Sequence, residues 1–263
     1  MTGATRGIGR STAVQLAEKG YFLTLVGRNQ QELHNLGEEI RSTFGVQVII
    51  CTGDLADERF WNEIVATSLR TWNRIDLLVN NAAWRSIEPM SAIDLDIWDK
   101  TIRICLSAPA FLSKQVAAHM IESQRGGVII NVSSVMSQRT GGYSPAYAAC
   151  KGGIESLTYE LATLYGPAGI RVVCVNPGNI ETDMSSDYHD SQGNNVSKDI
   201  GANMIDHTPL KRAARPDEIA QIIVWLSSGQ ASYITGTTVL ADGGFTHNFN
   251  SYSMKHLQFP SLF

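Results

Sequence analysis

Six short apolar runs, each leading into a longer amphipathic stretch, restrict this chain to few folds. They are YFLTLV, VQVIICTGDL, RIDLLVNNA, GGVIINVSSV, GIRVVCVNPG and TTVLADGG. Their apolar residues are continuous rather than alternating, the pattern of strands covered on both faces, as in a parallel sheet between two helix layers. Helical patterns occupy residues 8–18, 30–43, 58–71, 94–123, 146–164 and 216–226. Strand–helix units repeated at this size predict an α/β fold. The expected architecture is a doubly wound, mostly parallel, Rossmann-like sheet with helices on both faces, in one domain over residues 1–263.

Two stretches interrupt the alternation. Residues 184–209 (MSSDYHDSQGNNVSKDIGANMIDHTP) are polar and lack a strand. An insertion beyond a strand's carboxyl end is where such folds build substrate pockets and lids. The tail, residues 245–263, is rich in Phe, Tyr, Asn and Ser, and its late apolar groups are expected to pack on this subunit or a neighbour.

Composition narrows the function. A net charge of −4 without a basic stretch gives no footprint for nucleic acid. No apolar run reaches the 18 residues of a membrane span, and no signal peptide precedes the opening glycines. Cys51, Cys105, Cys150 and Cys174 are widely spaced and form no metal-ligand pattern, so no metal is expected. Free thiols in a reducing, cytoplasmic compartment fit this usage.

The chain begins MTGATRGIGR. Gly3 permits a tight turn, Gly7 a close backbone approach to phosphate, and Gly9 close helix–sheet packing. The helix starting at Ile8 then offers free N–H groups and its dipole to an anion. The next strand ends in VGRNQ, where a site for NAD usually carries an acid for the ribose hydroxyls. Arg28 stands there instead, and Arg6 lies within the turn. Both suit a 2′-phosphate and therefore NADP(H). Tyr147 and Lys151 are four residues apart and share a helix face. A lysine ammonium beside a phenol favours its phenolate, which adapts a tyrosine to acid–base work. Ser134 at a strand end is placed to hold a substrate oxygen beside that phenol.

Together these residues resemble the classical short-chain dehydrogenase/reductase family from Thr2 to Gly244. The family's TGxxxGxG motif corresponds to Thr2, Gly3, Gly7 and Gly9, and its acid near the adenine to Asp54, followed by Leu55. Its NNAG motif corresponds to Asn80, Asn81, Ala82 and Ala83. The catalytic Ser, Tyr and Lys correspond to Ser134, Tyr147 and Lys151. The PGxxxT motif falls on Pro177, Gly178 and Thr182, with Ile180 inside it. The resemblance implies hydride exchange between a nicotinamide and a carbonyl or secondary alcohol. In it Tyr147 moves the proton, Lys151 holds the nicotinamide ribose and Ser134 orients the substrate. The substrate class stays open between 3-oxoacyl thioesters and sugars, polyols or small secondary alcohols. A basic patch at Lys211 and Arg212 would favour the thioesters. His189, His207 and Asp183 are candidate substrate contacts, with surface placement the plainer reading of the histidines. The family also implies a homo-tetramer built on the helices at 94–123 and 146–164.

Two substitutions depart from the family. Ala83 replaces a glycine, adding a methyl near the cofactor cleft. Cys105 stands where the family has an asparagine that links the lysine to solvent through water, and a thiol is a weaker hydrogen-bond partner. A non-catalytic NADP-binding sensor or structural protein is therefore the competing reading. The glycine turn also lacks the strand that normally precedes it, since only Met1 stands before Thr2. A truncated first strand would leave backbone groups unpaired in the sheet, so about five or six residues upstream of Met1 are expected in the natural protein. Otherwise the chain folds with a gap, or another segment fills it.

Overall fold

The computed structural model describes residues 1–263. Its strands are β1 (Leu23–Gly27), β2 (Val48–Thr52), β3 (Leu77–Asn80), β4 (Gly127–Val132), β5 (Ile170–Pro177) and β6 (Thr237–Ala241). All strand pairs are parallel: β1 with β2, and β3, β4, β5 and β6 in that order. β5 is buried along nearly its whole length, as the unbroken apolar run requires of a strand covered on both faces.

The helices begin and end where the sequence offers caps. α2 (Gln30–Phe44) starts at Asn29, whose side chain accepts from the Glu32 amide, and stops at Gly45 in the left-handed region. α3 (Glu58–Trp72) starts at Asp57 in the same way. The helix expected over residues 94–123 is three pieces in one continuous rod. These are α4 (Leu95–Ile102), a π-helical turn at Arg103–Ser107, and α5 (Ala108–Glu122). α1 (Gly7–Glu18), α6 (Pro145–Tyr165) and α8 (Pro216–Ser227) match their expected positions to within a residue or so.

A chain of buried polar side chains ties α6 to the middle of the sheet. Asn80 on β3 donates to Asn131 on β4 (2.9 Å), which donates to Thr158 on α6 (3.0 Å). One level higher, Ser133 donates to the Lys151 carbonyl (2.8 Å). Side-chain bonds inside a core hold register more exactly than apolar contact does. They fix the face of α6 that carries Tyr147 and Lys151 above the ends of β3 and β4.

In three regions the structure adds detail to the sequence reading. Residues 184–209 are not merely a polar loop: they contain α7 (Ser197–Asp206) and a single antiparallel bridge between His189 and Asn195. The tail forms α9 (Tyr252–Gln258) and packs only in part. Arg139 stacks on Phe245 and donates to the Asn248 carbonyl (2.8 Å), whereas Phe249 is 92% exposed and Met254, Leu257 and Phe259 also face solvent. The slot before the glycine turn is spanned by Met1 and Thr2 alone. Thr2 N donates to Val79 O (3.0 Å), and Val26 N donates to Met1 O (3.0 Å). The sheet is therefore a two-stranded and a four-stranded block joined at one end by a short backbone seam.

Candidate active site

One large cavity opens at the carboxyl ends of the strands. Its wall includes the glycine turn, Arg28 after β1, Asp54 after β2, Asn81 to Arg85 after β3, and Ser134 after β4. It continues through Tyr147 and Lys151 on α6, the segment from Pro177 after β5, and part of α7. Of the residues singled out in the sequence, Gly3, Arg6, Gly7, Ile8, Gly9, Arg28, Asp54, Leu55, Asn81, Ala82 and Ala83 all line it. So do Ser134, Tyr147, Lys151, Pro177, Gly178, Ile180 and Thr182. Thr2 lies behind this wall, where its hydroxyl accepts from the amides of Asn81 (3.0 Å) and Ala82 (3.1 Å).

The turn is shaped by what it excludes. Gly3 has φ +66°, and a Cβ there would sit 2.8 Å from Ala82 Cα. A Cβ on Gly9 would lie 1.9 Å from the Gly3 carbonyl oxygen. Asn81 donates from below to the Thr2 and Gly3 carbonyls (both 3.1 Å), so the motif after β3 clamps the turn. The result is a backbone cradle at the start of α1 with side chains kept out, which fits a dinucleotide's phosphates.

At the other end, Lys151 is buried and donates to the Val132 carbonyl (2.7 Å), with its ammonium 5.2 Å from the Tyr147 ring centroid. Burial pushes the Tyr147 phenol above its ordinary value, with the Lys151 ammonium as the largest opposing influence and the Ser134 hydroxyl a smaller one. Burial also works against the Lys151 charge, but the acidic groups around it, Tyr147 first and then three thiols, leave it above the ordinary lysine value. Both groups thus hold their protons at neutral pH. Ser134 accepts from the Met136 amide (3.2 Å), which orients its hydroxyl at the strand end.

The chemistry of the wall has counterparts in known proteins. A family model described as enoyl-(acyl carrier protein) reductase matches residues 3–246. A short-chain dehydrogenase/reductase of Aspergillus oryzae is 32% identical over 247 residues, covering 94% of this chain and 93% of that protein. The chain is a short-chain dehydrogenase/reductase. Another relative of this dehydrogenase/reductase is the L-rhamnose 1-dehydrogenase (NAD(P)(+)) of Azotobacter vinelandii. It is 34% identical over 253 residues, with 94% and 96% of the two chains covered. Among solved structures, L-sorbose reductase from Gluconobacter frateurii, complexed with NADPH and L-sorbose, superposes with a TM-score of 0.86. That match has 29% identity and covers 94% and 95% of the chains. Membership makes the protein an enzyme of the nicotinamide-dependent oxidoreductase type.

Within this short-chain dehydrogenase/reductase, Cys105 is turned inward by the π-helical turn and is fully buried. Its sulfur accepts from the Trp84 amide (3.3 Å), and its thiol donates to the Trp84 carbonyl (3.2 Å). Cys105 is therefore a clamp on the backbone after β3. Burial pushes its thiol up, which rules out a resting thiolate nucleophile. Arg6 does not stand free for an anion: it pairs with Asp183 at 3.0 Å, and both side chains are exposed. Asp183 does line the cavity. His189 and His207 do not, and bond nearby carbonyls instead. Arg212 is spent on Glu218 (2.6 and 2.7 Å), and neither it nor Lys211 reaches the cavity.

Sequence reasoning missed a cluster on the substrate side: Trp84, Arg85, Tyr143 and Tyr188 all line the same cavity. A signal was available for Arg85, a lone basic residue just past the end of an apolar strand run. Tyr143 and Tyr188 gave none, because the folding of residues 184–209 brings them together.

Proposed function

We propose that the protein interconverts a carbonyl compound and the corresponding secondary alcohol with NADP(H), using Tyr147 as the proton donor and acceptor. The observation that carries this reading is the burial of Tyr147 and Lys151 side by side in the wall of the cavity whose far end is the glycine cradle. The dinucleotide, when bound, supplies or accepts the hydride. The chain's residues do the rest. The amides at the start of α1 hold the phosphates, and Asp54 and Leu55 border the adenine. Arg28 offers its free guanidinium to the 2′-phosphate, joined by Arg6 once that side chain leaves Asp183. The span from Pro177 to Thr182 closes over the nicotinamide end. Lys151 holds the ribose and its charge favours the phenolate of Tyr147. Ser134 and Tyr147 grip the substrate oxygen, and the phenol delivers its proton as the carbonyl is reduced. NADPH in the solved complex of the sorbose reductase supports the cofactor assignment.

The test is a spectrophotometric assay of NADPH and NADH oxidation with a panel of ketones. Turnover with NADPH, slowed by about 10²- to 10⁴-fold in Tyr147→Phe while NADPH still binds, is the expected result. Equal affinity for NADH and NADPH would remove Arg28 and Arg6 from their role. A second reading, a weakly active NADP-binding protein, draws on Cys105: its thiol is committed to Trp84, and the Lys151 ammonium has the Val132 carbonyl as its hydrogen-bond partner. Tight NADPH binding with only slow turnover of every ketone, not raised by Cys105→Asn, would establish that second reading.

The proposal extends to assembly as a homo-tetramer. Exposed Phe111 and Ile121 on α5 and Tyr159 and Leu164 on α6 support it. Light scattering should return about four times the chain mass.

A further inference from the structure

The Arg85 cluster contains hydrogen-bond donors that the protein does not use. The Arg85 side chain is only 4% exposed, although the backbone carrying it has just left β3. One terminal nitrogen donates to the Tyr188 hydroxyl (3.0 Å). The other donates to Asp187 (2.6 Å) and to the Met184 carbonyl. The guanidinium carbon also lies 4.7 Å from the Tyr188 ring centroid. Its Nε–H, though buried, has no partner. Each unpaired buried donor is costly, and a native site usually reserves it for something.

A second unused donor follows from counting hydrogens. The Tyr143 and Tyr188 hydroxyls are 3.4 Å apart, with the rings edge to face. The Tyr188 oxygen already accepts from Arg85, and a single hydrogen can bridge the two hydroxyls. One phenolic hydrogen is then left without an acceptor. Both donors belong to residues in the wall of the cavity that holds Ser134 and Tyr147. The charge of Arg85 is already balanced by Asp187, so a second carboxylate gains little there. A neutral acceptor oxygen takes the spare phenolic hydrogen at no cost in charge.

We propose that Arg85, Tyr143 and Tyr188 form the specificity subsite of the reaction, which takes a neutral hydroxyl oxygen carried near the reacting carbonyl and makes hydroxylated carbonyl compounds the substrate class. This rests on the carbonyl–alcohol reading above and adds the chemical class to it. The same contacts hold Met184, Asp187 and Tyr188 against Arg85, so the subsite exists only while this loop lies over the cavity. Cys105 supports it from behind by fixing the Trp84 backbone.

The test compares kcat/KM for 3-hydroxybutan-2-one, butan-2-one and acetoacetate with NADPH. The wild-type protein should favour the hydroxyketone over the plain ketone by about 10- to 100-fold, and acetoacetate should not exceed the hydroxyketone. In the double variant Tyr143→Phe/Tyr188→Phe, which keeps both rings and removes both phenolic hydrogens, the hydroxyketone-to-ketone ratio should fall toward one with the affinity for NADPH unchanged. A wild-type ratio near one, a ratio unmoved in the double variant, or a preference for acetoacetate would overturn the subsite while leaving the carbonyl–alcohol reading intact. If NADPH binds but no ketone turns over, that broader reading fails. The subsite is then judged by binding alone. Tryptophan fluorescence of the NADP⁺-loaded protein is titrated with butane-2,3-diol and with butan-2-ol, and equal affinity for the two overturns the subsite.

Discussion

Burial sets the resting state of Tyr147. With its phenol pushed above the ordinary value, it enters a reduction already carrying the proton it must give, whereas an oxidation needs it ionised. Carbonyl reduction should therefore hold level through neutral pH and fall on the alkaline side, and alcohol oxidation should rise over that same alkaline range. Profiles of kcat/KM in both directions measure this. Tyr147→Phe should remove the limb and slow turnover by about 10²- to 10⁴-fold. Removing the neighbouring charge in Lys151→Met should move the oxidation limb to higher pH, because the ammonium is what draws the phenol down. Cys105 invites a different test. Its thiol both accepts from and donates to Trp84, so Cys105→Ser keeps both bonds while Cys105→Ala leaves a half-buried amide and carbonyl unpaired. The alanine variant should lose about 1–3 kcal/mol of stability and the serine variant much less, read from chemical denaturation. A cysteine in place of an expected asparagine thus reads in the sequence as a lost relay and in the structure as a backbone clamp. The sequence holds the identity of that residue but not the π-helical turn that aims it.

Among the elements, the glycine turn and the start of α1 are the most tightly determined. A methyl at Gly9 would overlap the Gly3 carbonyl and press on the Asn81 amide. Gly9→Ala should therefore open the turn, weaken NADPH binding by more than about tenfold and cost about 1–3 kcal/mol, checked by titration and thermal unfolding. The main strands and helices were legible in the chain because each carries its own evidence. Continuous apolar runs mark buried strands, and Asn29, Asp57 and Asp94 mark helix starts. The catalytic Tyr147 and Lys151 were legible for the same local reason, a four-residue spacing on one helix. α7 was not, because its helical pattern is short and follows a polar run without a side-chain cap. The Arg85 cluster was hidden more deeply: Arg85 meets Tyr188 across 103 positions of sequence, and no local pattern reports such a contact.

On the scale of the whole molecule, the cavity wall draws on both sheet blocks, so filling it should stabilise the protein as a unit. Saturation at 100 times the dissociation constant adds about 2.7 kcal/mol, which for a chain of this size raises the melting temperature by roughly 5–10 °C. NADPH should produce that rise and Tyr147→Phe should retain it, which separates cofactor binding from catalysis. The two blocks pack on one another through their helices, where α3 meets α5 and α1 meets α8. A dinucleotide reaching from Arg28 after β1 to Lys151 on α6 would act as a tie between them. Amides of β1 and β2 and those of β4 and β5 should therefore gain protection together when NADPH is bound, read by deuterium exchange.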